Sequence, residues 1–275
     1  MVAGPGPEWV WVAAGVGAYG TAAVLAWWSR GRGEPTLAAH GMSTALAVGV
    51  VILAWAVAQR WRHFGQGPFM TLYEVLLSNL FTLGTVALAA YALSARARTG
   101  ARAVLAVLVL LGAWTLSLPT EPVMLPPTFD NPWLWVHVVT GKIFLGTCLV
   151  AVGIASYLLA RWRRMRVTAA GAPDVRALDV TVWQFMSIAF VFHSGMLLAG
   201  AVWAHDAWGR YWAWDPLETW SFITWLALAV VLHLRVTVRL ALPLGWVLAL
   251  AVFALAILTF FGVPFLSRAP HQGVF

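Results

Sequence analysis

Charge is what this chain has least of. Only 10% of its 275 residues are Asp, Glu, Lys or Arg, against about 25% in soluble domains. Hydrophobic residues make up 61%, and the mean hydropathy is +0.82. So little polar surface cannot cover a water-facing globule, and the apolar residues fall in repeated long runs. The expectation is an integral membrane protein, helical rather than a barrel. Cysteine is nearly absent: Cys148 stands alone inside an apolar run, and no CxxC occurs. That excludes dithiol oxidoreductase chemistry and attachment of a prosthetic group to this chain through paired thioethers. The N-terminus lacks a basic n-region, so the first apolar run reads as retained rather than cleaved.

A helix crosses a bilayer with about 20 apolar residues. Eight runs qualify, at roughly Trp9–Trp28, Thr36–Ala58, Phe69–Leu93, Ala103–Leu118, Trp133–Ala160, Val180–Trp203, Pro216–Leu234 and Leu242–Leu266. The predicted fold is an all-α polytopic bundle of about eight transmembrane helices, one membrane domain over residues 1–275. The net charge of +7 does not point to nucleic acid, because the basic residues sit in short clusters between apolar spans. Alternate connections hold twelve of them: Arg30, Arg32, Arg96, Arg98, Arg102, Arg161, Arg163, Arg164, Arg166, Arg176, Arg235 and Arg239. The opposite side holds four, Arg60, Arg62, Arg210 and Arg268. Lys142 lies within the fifth span. By the positive-inside rule the richer side is cytoplasmic, which puts both termini and the connection after span six outside. One long connection on that outer side, Pro119–Pro132, is proline-rich and carries acids but no bases; it reads as an ordered lid, a partner contact or a plain loop.

That connection after span six reads WGRYWAWDPLET, Trp208 to Thr219. Six of the eighteen tryptophans fall between Trp203 and Trp225. DPLE is a helix-start pattern: Asp215 can cap, Pro216 suits the first helical position, and Glu218 can complete a capping box. Both acids thus have a sufficient structural explanation. If the segment is helical, Trp208 and Trp212 stack one turn apart, as do Trp214 and Glu218. The tryptophans fit either an interfacial aromatic belt or an apolar slab with indole N–H donors and Arg210, suited to a large flat cofactor with acidic tails. Residues 204–219 are the candidate binding segment.

Seven histidines occur. The charge-derived topology puts His137, His205, His271 and His63 toward the outer face, with His137 just inside span five and His271 just beyond span eight. Two histidines across a flat aromatic slab can ligate haem iron axially. His233 lies deep in span seven, His193 at mid-depth in span six, and His40 near the other end of span two. Ionisable groups at such depth are functional candidates; for His193 and His40 a neutral ring bonded to a neighbouring helix also suffices. His63 reads as solvated.

These residues resemble the CcsA/ResC-type proteins of cytochrome c biogenesis, a haem-handling membrane family named for its tryptophan-rich signature. Val202 to Leu226, VWAHDAWGRYWAWDPLETWSFITWL, is similar to that signature almost throughout, and Phe69–Phe81, FMTLYEVLLSNLF, resembles an earlier Tyr-Glu segment. The resemblance implies that His137, in PWLWVHV, and His271, in FFGVPFLSRAPH, are axial ligands of haem iron. It implies that His233, in WLALAVVLHLR, helps hold haem b within the membrane, with a second ligand from a CcsB/ResB-type partner subunit. Trp208, Trp212 and Trp214 would lie against the macrocycle, with Arg210 near a propionate and Asp215 in the same segment; no catalytic base stands out. The implied function is movement of haem across the membrane and its presentation to the CxxCH of apocytochrome c, as the haem-presenting subunit of a cytochrome c synthase. Three rivals are a delivery subunit that passes haem to a chaperone, an electron-transfer protein pairing His193 with His233, and a structural partner with no cofactor. The chain departs from the family at Leu217, usually lysine, and at His205, usually asparagine.

Overall fold

The structure is a computed structural model that describes residues 6–28, 37–67, 70–162, 173–238 and 240–263. Among these residues all regular secondary structure is helical, and eight helical segments are long and apolar enough to cross a membrane. They are α1 (Trp9–Trp28), α2 (Leu37–Phe64), α3 (Leu72–Leu93), α4 (Ala101–Leu116), α5 (Pro132–Trp162), α6 (Pro173–Trp208), α7 (Pro216–Thr237) and α8 (Leu242–Ile257), the last prolonged by a π-turn over Leu258–Gly262. The all-α polytopic expectation is met, with the first span matching residue for residue. The largest difference is α6, which begins at Pro173 rather than Val180 and runs on to Trp208.

The chain divides into two compact units, Met1–Ala95 with Ala101–Leu125 and Gly273–Phe275, and Arg96–Gly100 with Pro126–Gln272. The first contains α1 to α4. Tyr19 of α1 is wholly buried and donates to the Leu80 carbonyl of α3 at 3.0 Å. The tyrosine fits because Gly84 has no side chain: a Cβ there would stand 1.9 Å from the phenolic oxygen. A polar cluster forms beyond that core. Thr71 caps α3 by accepting from the Glu74 amide, and Glu74 accepts back from the amides of Thr71 and Met70 at 3.2 and 2.9 Å. The same carboxylate meets Arg60 of α2 at 2.8 Å, and Arg60 also meets Glu8 at 2.6 Å. The charge pattern counts Arg60 among the basic residues of connections and span ends; the structure buries it, 1% exposed, because two carboxylates converge on it. Arg60 further donates to the Thr120 carbonyl at 3.1 Å, and Gln66 bonds both Val123 and Leu125. The first half of the long proline-rich connection is therefore an ordered part of this unit.

In the second unit α5 is the most enclosed helix, buried continuously from Phe144 to Ala155. The single turn Ala97–Gly100 lies directly on it, so close that a Cβ on Gly100 would approach the Gly153 carbonyl carbon to 2.5 Å. Asp179 explains why α6 starts early. It reads as a connection residue by charge, yet it is 2% exposed and accepts the indole N–H groups of Trp246 at 2.9 Å and Trp183 at 3.1 Å. Arg235 completes the cluster with an ion pair to the same carboxylate, so one side chain ties α6 to α7 and α8.

Removing one member of a buried, hydrogen-bonded ion pair typically costs about 3–5 kcal/mol. Asp179→Ala is expected to lower the melting temperature of the detergent-solubilised chain strongly, and Asp179→Asn, which keeps acceptors for the indoles, by less. Equal melting of all three proteins would show that this tie does not hold the helices.

Candidate functional site

The tryptophan-rich segment is a turn, not a helix. Trp208 ends α6, and Gly209 follows at φ +71°, its N–H donating to the His205 carbonyl at 2.8 Å. That is a glycine C-cap, where absence of a Cβ removes the usual penalty. On the far side Asp215 is the N-cap of α7 as expected, accepting from the Glu218 amide at 2.9 Å, with Pro216 in the first turn. Glu218, 9% exposed, also accepts the Ala213 N–H at 2.7 Å. Between these bonds Trp214 sits at φ +59°, a left-handed conformation rare for a bulky residue, and the residue is 67% exposed. Such a backbone costs on the order of 1–3 kcal/mol and persists only where surrounding bonds fix it.

Because Gly209 ends the helix, the Trp208–Trp212 and Trp214–Glu218 stackings drawn from helical spacing are absent. The aromatic rings form two groups instead. Trp203, 3% exposed, is the hub of one: Trp208 lies edge-on at 4.9 Å, Phe129 at 5.2 Å, and His137 at 6.2 Å between ring centres. Its indole donates to the Thr128 carbonyl at 2.9 Å, which orders the second half of the proline-rich connection; Asn131 there also bonds Asp206. The other group begins at the turn. Trp212 and Trp214 lie 5.8 Å apart, each edge-on to Phe222 of α7. Phe222 stacks on Trp225, and Trp225 on Phe190 of α6, with planes 18° and 26° apart. The Trp225 indole is satisfied by Ser194 at 2.8 Å, whereas the buried Nε1–H of Trp212 meets no acceptor among the described residues.

His137 lies in the second turn of α5 with Nδ1 2.9 Å from the Met196 carbonyl of α6. A carbonyl only accepts, so Nδ1 carries the proton and Nε2 the lone pair, the form that ligates a metal. The other histidines divide clearly. His233 is exposed on α7, 17 residues beyond Pro216 or about 25 Å along the helix. His193 is wholly enclosed, its ring stacked at 4.0 Å on Phe144, and neither nitrogen has a partner among the described residues. The neighbouring-helix bond considered for it is not there. His205 stacks on Tyr211 at 4.3 Å and stands 3.7 Å from Asp206. His40 and His63 are exposed, and His271 lies outside the described residues.

Of the sequence-derived candidates, the structure brings Trp212 and Trp214 together directly and links His137 to Trp208 through Trp203. Arg210 is exposed and enters no ion pair among the described residues, and Asp215 is occupied as a helix cap. Trp203 and the second bond of Glu218 were not anticipated. Trp203 was visible within the tryptophan cluster, but its role depends on contacts with a remote loop. The Glu218–Ala213 bond follows from a left-handed turn at Trp214, which no residue type announces.

Residues 41–271 match the protein family described as Cytochrome C assembly protein. Curated relatives carry the name cytochrome c biogenesis protein CcsA. The protein of Chlamydomonas reinhardtii is 29% identical over 70% of this chain and 56% of its own length. That of Panax ginseng is 27% identical over 82% and 81%, and that of Synechococcus elongatus 26% identical over 88% of each. A solved structure named cytochrome c heme lyase CcmF superposes with a TM-score of 0.68 at 19% identity, over 98% of this chain and 49% of CcmF. The fold is thus shared with about half of CcmF, and the chain likewise spans little more than half of the Chlamydomonas relative. With a family match over most of its length and eight membrane-length helices, this chain is a multi-pass membrane protein belonging to the cytochrome c assembly family.

Proposed function

We propose that the chain holds haem b as cargo and presents it, on the extracytoplasmic face, at the turn from Trp208 to Asp215 for attachment to the CxxCH of apocytochrome c. The observation that carries this reading is Trp214. A tryptophan held in a left-handed conformation and two-thirds exposed is costly, and such strain clusters at ligand-binding sites. The adjacent Trp212 supplies a buried N–H that meets no acceptor among the described residues, suited to a porphyrin carboxylate. Trp208 and Arg210 flank the same turn.

His137 would supply one axial nitrogen and His271 the other. His233 fits a separate site within the membrane, because its exposed position on α7 leaves room for a ligand from another chain, such as a CcsB/ResB-type subunit. The asymmetry of arginines in the sequence supports the orientation, with both termini and the turn on the extracytoplasmic side. In the attachment step each cysteine S–H of the acceptor adds across a haem vinyl group. One S–C bond forms, the proton goes to the terminal vinyl carbon, and no electrons are exchanged. The contribution of this chain is position: ligands and aromatic faces hold the vinyl edge for the incoming thiols and limit access to the iron. A delivery subunit would use the same platform, and Leu217, where the family usually has lysine, keeps that variant alive. An electron-transfer site made from His193 and His233 fits less well, since one ring is fully enclosed and the other exposed.

Soret and pyridine-haemochrome spectra of the purified chain test the reading. Wild-type protein is expected to carry b-type haem; His137→Ala and His271→Ala should shift or deplete it, and His233→Ala should deplete a distinct fraction. Spectra unchanged in both of the first two variants would remove the proposed platform. Trp214→Gly relieves the left-handed backbone, so its melting temperature is expected to hold or rise while haem retention falls. A less stable protein with full haem would mean that Trp214 serves the fold alone.

A further inference from the structure

The helix seam between α5 and α6 contains a feature that neither the sequence signature nor the aromatic turn accounts for. His137 does not merely lie near α6; its ring is set against the helix backbone. Nδ1 is 2.9 Å from the Met196 carbonyl. One turn further along α6, Gly200 presents a bare Cα to the same imidazole. A Cβ built there would stand 2.6 Å from Nδ1 and 2.9 Å from Cε1, closer than real Cβ contacts come. Those atoms belong to a planar ring that already bonds Met196 and has Trp203 at 6.2 Å on another side. The conflict has no easy release.

Other glycines in this seam behave differently. At Gly195 a Cβ would meet only Thr140 Cγ2, at an ordinary 3.7 Å, and at Gly141 it would press on the flexible thioether of Met196. The glycine requirement is therefore specific to the site of the imidazole, not a general demand for close helix packing. Met196 contributes through its main-chain oxygen, which lies within a helix and is fixed in place whatever side chain the residue carries.

We propose that the Met196 carbonyl and the open face of Gly200 form a seat that fixes His137 as the Nδ1–H tautomer, with Nε2 kept as the ligating nitrogen. Gly200 is a positioning residue acting through His137. The inference rests on the reading of His137 as a haem ligand, and it deepens that reading by naming what orients the ligand. A neutral histidine side chain in water turns freely and leans to the Nε2–H tautomer; a backbone acceptor at Nδ1 fixes the plane and reverses that preference before cargo arrives. Loss of such an outer partner typically lowers affinity for the metal centre about 10–100-fold.

The test uses the full-length chain in detergent, as wild type, Gly200→Ala, Gly195→Ala and His137→Ala. Histidine nitrogen NMR of haem-free protein, assigned with His137→Ala, reads the tautomer; titration with haem b reads affinity and coordination. Wild-type His137 is expected to be protonated at Nδ1, and Gly195→Ala to match it. Gly200→Ala should lose that tautomer and bind haem about 10–100-fold more weakly. Added imidazole should restore the six-coordinate spectrum in both Gly200→Ala and His137→Ala. A wild-type ring protonated at Nε2 overturns the proposal without any variant having to fold. Gly200→Ala with wild-type tautomer and affinity, beside a haem-deficient His137→Ala, overturns the seat and leaves the ligand reading standing. Haem binding unaffected by His137→Ala removes the ligand reading, and the seat's purpose with it.

Discussion

The candidate site depends on the 2.7 Å hydrogen bond from the Ala213 N–H to the Glu218 carboxylate. A carboxylate accepting from a backbone amide in a nearly dry setting is a strong, directional bond. Here it reaches back from the first turn of α7 across the residue that begins the left-handed bend. Asp215 secures the other strand of the same turn by capping Glu218. Together the two acids hold Trp214 where its own backbone preference would not leave it, and they hold Trp212 and Trp214 against Phe222. The acids in DPLE act on the backbone, and the tryptophans are what that work positions.

Within lipid, burying apolar surface gives helices little reason to associate, because the tails are as apolar as the side chains. Close packing and polar ties carry more of the load. This chain has few charged residues, and several are spent on such ties rather than on solvation. Arg60 gathers Glu8, Glu74 and the Thr120 carbonyl in the first unit. Asp179 gathers Arg235 and two indoles in the second. Bare glycine contacts, Gly84 beneath Tyr19 and Gly100 on Gly153, supply the close approaches. A helix framework held this way can expose aromatic and histidine side chains at one end of α6 without depending on them for stability.

Much of this was legible in the sequence. Long apolar runs specify membrane helices with little ambiguity, so all eight spans appear, the first with the same bounds as α1. Helix-start chemistry was also legible, since Asp215 and Pro216 act locally. Charge was the misleading signal: Asp179 and Arg60 look like connection residues until their partners, 56 and 14 residues away, neutralise them. Helical spacing misled at Trp208 and Trp212 because Gly209 turns left-handed between them. The contact of His137 with Met196 spans 59 residues. No pattern read along a single helix announces that a carbonyl and a glycine one turn apart on α6 will frame an imidazole from α5.

The central claim is the proposal that the pre-formed aromatic turn and His137 together receive the porphyrin. The most direct measurement is an experimental structure of the full chain with haem b added. The account predicts macrocycle density against Trp212 and Trp214, iron bound to Nε2 of His137, and Glu218 still holding the Ala213 N–H. Haem found only beside His233, or elsewhere in the bundle with the turn bare, would contradict it.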